Sequence, residues 1–281
     1  ARLAVRGRGE PPPLAMLSRD GVGESMTLKE YTLWGERDKV QVAIERLRTF
    51  EPPEGYYLAF SGGLDSCVLK ELANMAGVKY DAHYNLTTVD PPELVRFIRE
   101  QHPDVAIDKP EKSMWELIYE YKAPPTRRQR FCCEALKERG GIGRVVMTGI
   151  RAEESNRRAN RQMVEQCYKV QKSYVHPIID WLRTEEWQFV RANNVPYCSL
   201  YDEGFRRIGC IMCPFGHAKQ MMAQASRWPK YYAAYIRAFD RMVAHRLADD
   251  RPMKWQSGQE VMDWWLSDAA HVPDEQMEMF A

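Results

Sequence analysis

Residues 56–73 read YYLAFSGGLDSCVLKELA, an apolar run that empties into two glycines, an aspartate and two serines before an amphipathic segment begins. Tyr57, Leu58, Ala59 and Phe60 have the length and character of a short buried strand, and Cys67, Val68, Leu69, Leu72 and Ala73 recur at helical spacing after the break. The break is therefore a strand-to-helix turn. Ser61, Gly62 and Gly63 permit close backbone approach. The free N–H groups of a helix starting around Asp65 and Ser66 face the same point with the positive end of the helix dipole. Such a corner suits a phosphate. An ordinary capped turn uses the same residue types, so this stretch alone leaves both readings open.

On the N-terminal side, residues 1–26 are rich in Arg, Pro and Gly without periodicity and read as a flexible tail. From Thr27, with Glu30 three positions on, a capped helix is expected through Val40, Ala43, Ile44 and Leu47 until Glu51-Pro52-Pro53. On the C-terminal side the β-then-α rhythm repeats. Lys79–Leu86 reads as strand, Thr87–Pro92 as polar turn and Glu93–Gln101 as helix; residues 104–108 offer a third short strand. Helices are expected at Trp115–Tyr121, Cys132–Arg139 and from Thr184, and strands at RVVMTGI and Tyr174–Ile179. GGIG at 140–143 precedes a strand and reads as a helix stop and loop. The expected fold class is α/β, a mainly parallel twisted sheet with helices on both faces and a helical C-terminal extension. Ligands then sit at the carboxyl ends of the strands, where the turns 61–66, 87–92 and 148–158 converge. The expected division is a tail (1–26), a nucleotide-binding domain (27–216) and a helical region (217–281). The aromatic spacing of Trp228, Tyr231, Tyr232, Tyr235 and Phe239 is helical and favours packing over base stacking.

The 281 residues suffice for one large core, and 40 Lys+Arg against 39 Asp+Glu leave a formal charge of +1. That balance excludes a global polyelectrolyte signal for nucleic acid or membrane, so any DNA contact must be local. No run of eighteen apolar residues occurs and the first residues lack a secretory pattern, which makes a cytoplasmic location the expectation.

Seven cysteines without a signal segment point to thiols, a metal or a cluster. Cys210-x-x-Cys213 in GCIMCPF can chelate one edge of a metal centre, and the adjacent Cys132 and Cys133 can complete it. Four thiolates match a [4Fe–4S] cubane or a tetrahedral zinc. Adjacent cysteines diverge, which a multi-iron cluster tolerates better than one ion. Cys67, Cys167 and Cys198 stand alone and read as packing residues. TGIRAEESNRRANR places Arg151, Arg157, Arg158 and Arg161 after a strand, where guanidinium forks can bind phosphate or sulfate oxygens.

In order along the chain, SGGLDS, LTTVDPPE, CCEALK, TGIRAEESNRR, HPIIDW and GCIMCPF resemble the phosphoadenosine phosphosulfate reductase family of PP-loop ATP pyrophosphatases, over about residues 30–245. The resemblance implies an adenine nucleotide whose phosphates lie on Ser61, Gly62, Gly63, Asp65 and Ser66, with Thr87 and Thr88 near the nucleoside. It implies a [4Fe–4S] cluster on Cys132, Cys133, Cys210 and Cys213, and a substrate-facing lysine at Lys137. It also matches Arg151 and Arg158 to the family's second anion-binding motif. Two departures bear on function. Leu64 stands where many members carry lysine, which leaves Mg²⁺, amides or arginines to neutralise phosphate charge. No cysteine follows Cys213 in these residues, whereas assimilatory reductases use a thiol in a mobile C-terminal segment.

The expectation is an ATP pyrophosphatase akin to those of DNA phosphorothioation, with Asp65 as first candidate for Mg²⁺ contact and Arg151, Arg158 and Lys137 as catalytic candidates. Protein partners of a sulfur-transfer or DNA-modification system follow from that resemblance. The alternatives are a sulfonucleotide reductase with a different thiol, and a nucleotide-binding assembly subunit without turnover. A tRNA-thiolating enzyme is a narrower rival.

Overall fold

The computed structural model describes residues 28–33, 35–168, 171–249 and 254–267. The proposed tail, Thr27 and the last fourteen residues lie outside them.

The chain does not enter through one long helix. Lys29–Thr32 (β1) and Gly35–Asp38 (β2) form an antiparallel hairpin, and the helix α1 covers only Lys39–Thr49. Gly35 has φ +116°, a left-handed value that a helix interior does not use. Asp38 then caps α1, its side chain accepting from the Val40 amide at 2.9 Å. Arg37 and Arg46 both reach Asp180, and the buried Lys39 ammonium lies 2.8 Å from Glu185.

Beyond the hairpin the chain winds a six-stranded sheet. Tyr56–Ala59 (β3), α2 (Leu64–Ala76), Tyr80–Asn85 (β4), α3 (Pro92–Gln101) and Ala106–Asp108 (β5) follow in order. Next come α4 (Met114–Tyr121), α5 (Phe131–Leu136), Val145–Met147 (β6), a 3-10 turn at Ala152–Glu154 and the short α6 (Asn156–Ala159). Val164–Cys167 (β7), Lys172–Val175 (β8), α7 (Arg183–Ala192), α8 (Ala218–Arg227), α9 (Pro229–Ala248) and α10 (Gly258–Trp265) complete it. The strand order is β5-β4-β3-β6-β8-β7, with every pairing parallel except the edge pair β7 and β8.

From β3 the chain winds toward β4 and β5; later it returns on the other side through β6. The order thus reverses between β3 and β6, and in open α/β sheets the crevice at such a point takes the ligand. The residues that follow β3 and β6 are the glycine turn and the TGIR segment.

One core runs through the molecule. Leu47, Leu58, Leu69, Leu72 and Ile98 are fully buried among α1, β3, α2 and α3, each worth about 2–3 kcal/mol of transfer energy. The aromatic stripe joins the same core: the Tyr235 ring packs at 4.9 Å from both Trp115 and Trp265. No described helix is long and apolar enough to cross a membrane.

Candidate functional site

Strand β3 ends at Ala59, and the turn that follows is shaped by glycine. Gly62 has φ +70°, and a Cβ there would sit 2.7 Å from Leu94 and 2.8 Å from Ile98, so α3 leaves no room for a side chain. The two serines of the turn hold each other: Ser66 Oγ accepts from the Ser61 amide at 3.2 Å and donates to the Gly63 carbonyl at 2.8 Å. The Gly63 amide donates to Ser61 Oγ at 3.3 Å. Gly63 caps α2 with no side-chain acceptor, leaving its first amides to other partners. One of these is unexpected, because the Leu64 amide donates to the Tyr201 hydroxyl at 2.9 Å.

Asp65 and Arg151 connect the turn to the strand beside it. Arg151 Nε lies 2.8 Å from Asp65 Oδ1 and 3.2 Å from Glu186, and its Nη1 lies 2.8 Å from Glu153. Arg151 is 4% exposed. Gly149 permits this closeness, since a Cβ on it would meet the Asp65 Cβ at 2.7 Å. Burial opposes ionisation of Asp65, but hydrogen bonds from Arg151 and Glu186 and the charges of Arg151 and Arg183 hold its carboxyl below the usual range. Glu186 is fully buried and is pushed up to about 8, first by burial and then by the charge of Asp65. Arg183 joins the cluster, 3.1 Å from Glu186 and 3.7 Å from Asp65. Arg158 pairs with Glu154 and feels Asp65, Arg151 and Arg207; burial is the main cause that lowers its guanidinium.

Of the residues matched from sequence, Asp65, Arg151 and Arg158 therefore meet around one corner. Arg151 is engaged by three carboxyl groups, while Arg158 pairs with one. Arg183, Glu186 and Tyr201 are the members that the sequence reading missed. Arg183 and Glu186 stand three apart in the first turn of α7, a spacing shared by ordinary helix charge pairs, and a single tyrosine carries no local signal.

The second group gathers at the end of β4. Thr87 is buried, its amide donates to Asp90 at 2.6 Å, and its hydroxyl lies 3.5 Å from the Cys210 sulfur. Thr88 takes φ +65° and accepts the Met114 amide at 2.9 Å. The Cys210-x-x-Cys213 knuckle is pinned beside them: the Ile211 amide donates to the Val89 carbonyl at 2.8 Å, the Met212 amide to Gln224 at 2.7 Å, and the Tyr235 hydroxyl to the Ile211 carbonyl at 3.3 Å. Arg127 braces the exit by donating to the carbonyls of Pro214 and Phe215.

The two cysteine segments, 77 residues apart from Cys133 to Cys210, converge here. Cys132 is hydrogen-bonded to Cys133 and raised by it, by burial and by the charges of Cys213 and Cys210. Cys133 is lowered, first by Cys132, with Arg130 also favouring its thiolate. Lys137, just past α5, is raised chiefly by Cys210 and also by Cys213. Among the described residues no three His, Cys, Asp or Glu side chains are arranged around a point that could hold one metal ion. Tetrahedral zinc requires all four sulfurs within about 2.3 Å of one centre. A cubane spreads its ligands over four irons, and its anionic charge suits a lysine at its edge. The four thiols on two braced segments, with Lys137 beside Cys210 and Cys213, are the donor set that a cluster would use.

The family model described as the phosphoadenosine phosphosulfate reductase domain matches residues 55–215. An adenosine 5'-phosphosulfate reductase of Shouchella clausii is 25% identical over 222 residues, covering 74% of this chain and 91% of that protein. Adenosine 5'-phosphosulfate reductase 2 of Bacillus subtilis is 26% identical over 204 residues, covering 68% and 85%. An uncharacterized protein of Methanocaldococcus jannaschii is 28% identical over 194 residues, 65% of this chain, which spans only 47% of that longer protein. Among solved structures, the phosphoadenylyl-sulfate reductase of Candida auris in a phosphate complex aligns with a TM-score of 0.48 and 20% identity, over 60% of this chain and 87% of that one. Since the family match takes in the glycine turn, both cysteine pairs and the arginine segment, and more than half of the 281 residues, the chain belongs to the phosphoadenosine phosphosulfate reductase domain family.

Proposed function

We propose that this chain is an ATP pyrophosphatase that cleaves the α–β bond of Mg·ATP, releases pyrophosphate and transfers AMP to an acceptor oxygen that sulfur later replaces, as in DNA phosphorothioation. The observation that carries the reading is the anion-ready turn at the β3/β6 reversal, with the Asp65–Arg151 pair on one side and the four thiols beside the adjoining strand end. In this reading Ser61, Gly62, Gly63 and Ser66 hold the phosphates through backbone and hydroxyl groups, while Thr87 and Thr88 approach the nucleoside. An acceptor oxygen attacks the α-phosphorus, the bond to the bridging oxygen breaks, and negative charge develops on the departing pyrophosphate. In this reading Arg158 meets that charge. Arg151 acts by fixing Asp65, whose Oδ1 it occupies. Mg²⁺ would neutralise phosphate charge, held mainly by the phosphates with Asp65 as the carboxylate at the turn. A [4Fe–4S] cluster on Cys132, Cys133, Cys210 and Cys213 would supply sulfur handling or a fixed electrostatic anchor, with Lys137 facing it. Partner proteins of a sulfur-transfer or DNA-modification system belong to the same reading.

The reductase names of the bacterial relatives favour a second reading, sulfite release from an adenylyl sulfate. That chemistry needs an attacking thiol, and residues 214–281 contain no cysteine. ATP labelled in its γ-phosphate separates cleavage positions. The expected label appears in pyrophosphate; label in orthophosphate would mean β–γ cleavage and overturn the proposal.

A further inference from the structure

The Leu64 amide is the first N–H of α2, and at a phosphate-binding turn such an amide is a donor for the ligand. Here it is taken by Tyr201, whose hydroxyl oxygen accepts it at 2.9 Å. The same oxygen would lie 3.6 Å from a Cβ on Gly63, so it sits directly over the turn. The Arg183 guanidinium lies 5.4 Å from the Tyr201 ring centre and acts on the same hydroxyl. A neutral oxygen flanked by a helix-terminal amide and a guanidinium occupies a position whose surroundings favour an anionic oxygen.

The surroundings hold the ring there. Trp187 meets the ring edge-on at 5.6 Å, and Tyr197 lies 6.4 Å away. Tyr201 ends a single 3-10 turn, Ser199–Tyr201, and is followed by Gly204 at φ +90°. Arg183 also donates to the Arg206 carbonyl at 3.0 Å, tying the following segment to the same cation. That segment runs on to Cys210, nine residues after Tyr201.

We propose that Tyr201 is a latch on the phosphate loop: its hydroxyl fills the place of a phosphate oxygen at Leu64 N–H and Arg183, and the polyphosphate of an entering nucleotide displaces it. The inference rests on the nucleotide reading of the loop and adds a competitor built into the chain. Displacement frees the Leu64 amide for the ligand, turns Arg183 from the tyrosine to the phosphate, and moves the segment that leads into the Cys210-x-x-Cys213 knuckle.

Tyr201→Phe keeps the ring and removes the competing oxygen. Calorimetric titration of the full chain with Mg-pyrophosphate, and separately with a non-cleavable α,β-methylene ATP analogue, reads the consequence. The latch predicts binding that is tighter by roughly two- to tenfold in the variant, the equivalent of one net hydrogen bond. Weaker binding would make the hydroxyl a ligand contact, equal binding would make it indifferent, and either result overturns the latch while leaving the nucleotide reading intact. No binding by either protein overturns both. Residue-resolved hydrogen exchange supplies the second readout. Without ligand the Leu64 amide should exchange faster in Tyr201→Phe than in the parent, and ligand should slow it in both; unchanged exchange in the variant contradicts the latch.

Discussion

Asp65 carries two duties, and they can be separated. Its carboxylate balances Arg151, which is 5% exposed in its side chain, and in the proposed chemistry it also meets the Mg²⁺ of ATP. Removing one partner of a buried ion pair costs about 3–5 kcal/mol because the other charge is stranded, so Asp65→Ala confuses folding with catalysis. Asp65→Asn keeps the shape and a hydrogen-bond acceptor for Arg151 while removing the charge. The expected outcome is a folded protein, judged by its circular dichroism, with pyrophosphate release reduced at least a hundredfold. Turnover within a few-fold of the parent would take Asp65 out of the reaction. The glycine turn was legible in the chain because its signals are local: two glycines, two serines and an aspartate between a strand and a helix. Tyr201 was not, because it meets the Leu64 amide across 137 residues of sequence.

The same contrast separates the larger pieces. The strands β3 and β6 were readable as short apolar runs, β4 by its alternation, and the helices α2 and α3 by apolar residues at helical spacing. The entry helix from Thr27 was not, because Val40, Ala43, Ile44 and Leu47 all belong to α1, which starts only after Asp38. Gly35 between Thr32 and Glu36 was the overlooked breaker. Strand β7 escaped notice since VEQC is short, largely polar and held only at the sheet edge by antiparallel pairing with β8. The knuckle at Cys210–Cys213 was visible as a motif, but its attachment to Val89, Gln224 and Tyr235 came from tertiary packing alone. That attachment bears on a second expected result. Cys210→Ser, prepared anaerobically, should lose iron and acid-labile sulfide together while α9 stays docked. Stoichiometric zinc without sulfide in the parent would replace the cluster with a single-ion site.

The fold as a whole has a pH limit written into its core. His102 is 5% exposed, its ring edge-on to Phe60 and Phe97, with Lys70 Nζ 3.2 Å from its Nδ1 and Cys67 Sγ 3.9 Å from its Nε2. Asp104 holds Lys70 from the other side at 2.6 Å. Burial, reinforced by the Lys70 charge, lowers His102 from 6.5 to about 4. Between those values the unfolded chain binds the proton and the folded chain does not, so stability is greatest above pH 6.5 and falls as pH drops toward 4. The loss from this group is on the order of 3 kcal/mol over the whole window. Urea unfolding at pH 7 and pH 5 should show that decline, and His102→Gln should flatten it; an equally steep decline in the variant would move its origin elsewhere. The function, however, turns on which bond the assembled crevice breaks. The most direct measurement incubates the anaerobically purified protein with Mg·ATP and, in parallel, with adenylyl sulfate and a thiol reductant, and analyses the products. Pyrophosphate from ATP, with no sulfite from adenylyl sulfate, is the predicted result. Sulfite from adenylyl sulfate, with ATP left intact, would contradict the proposal and return the chain to reductase chemistry.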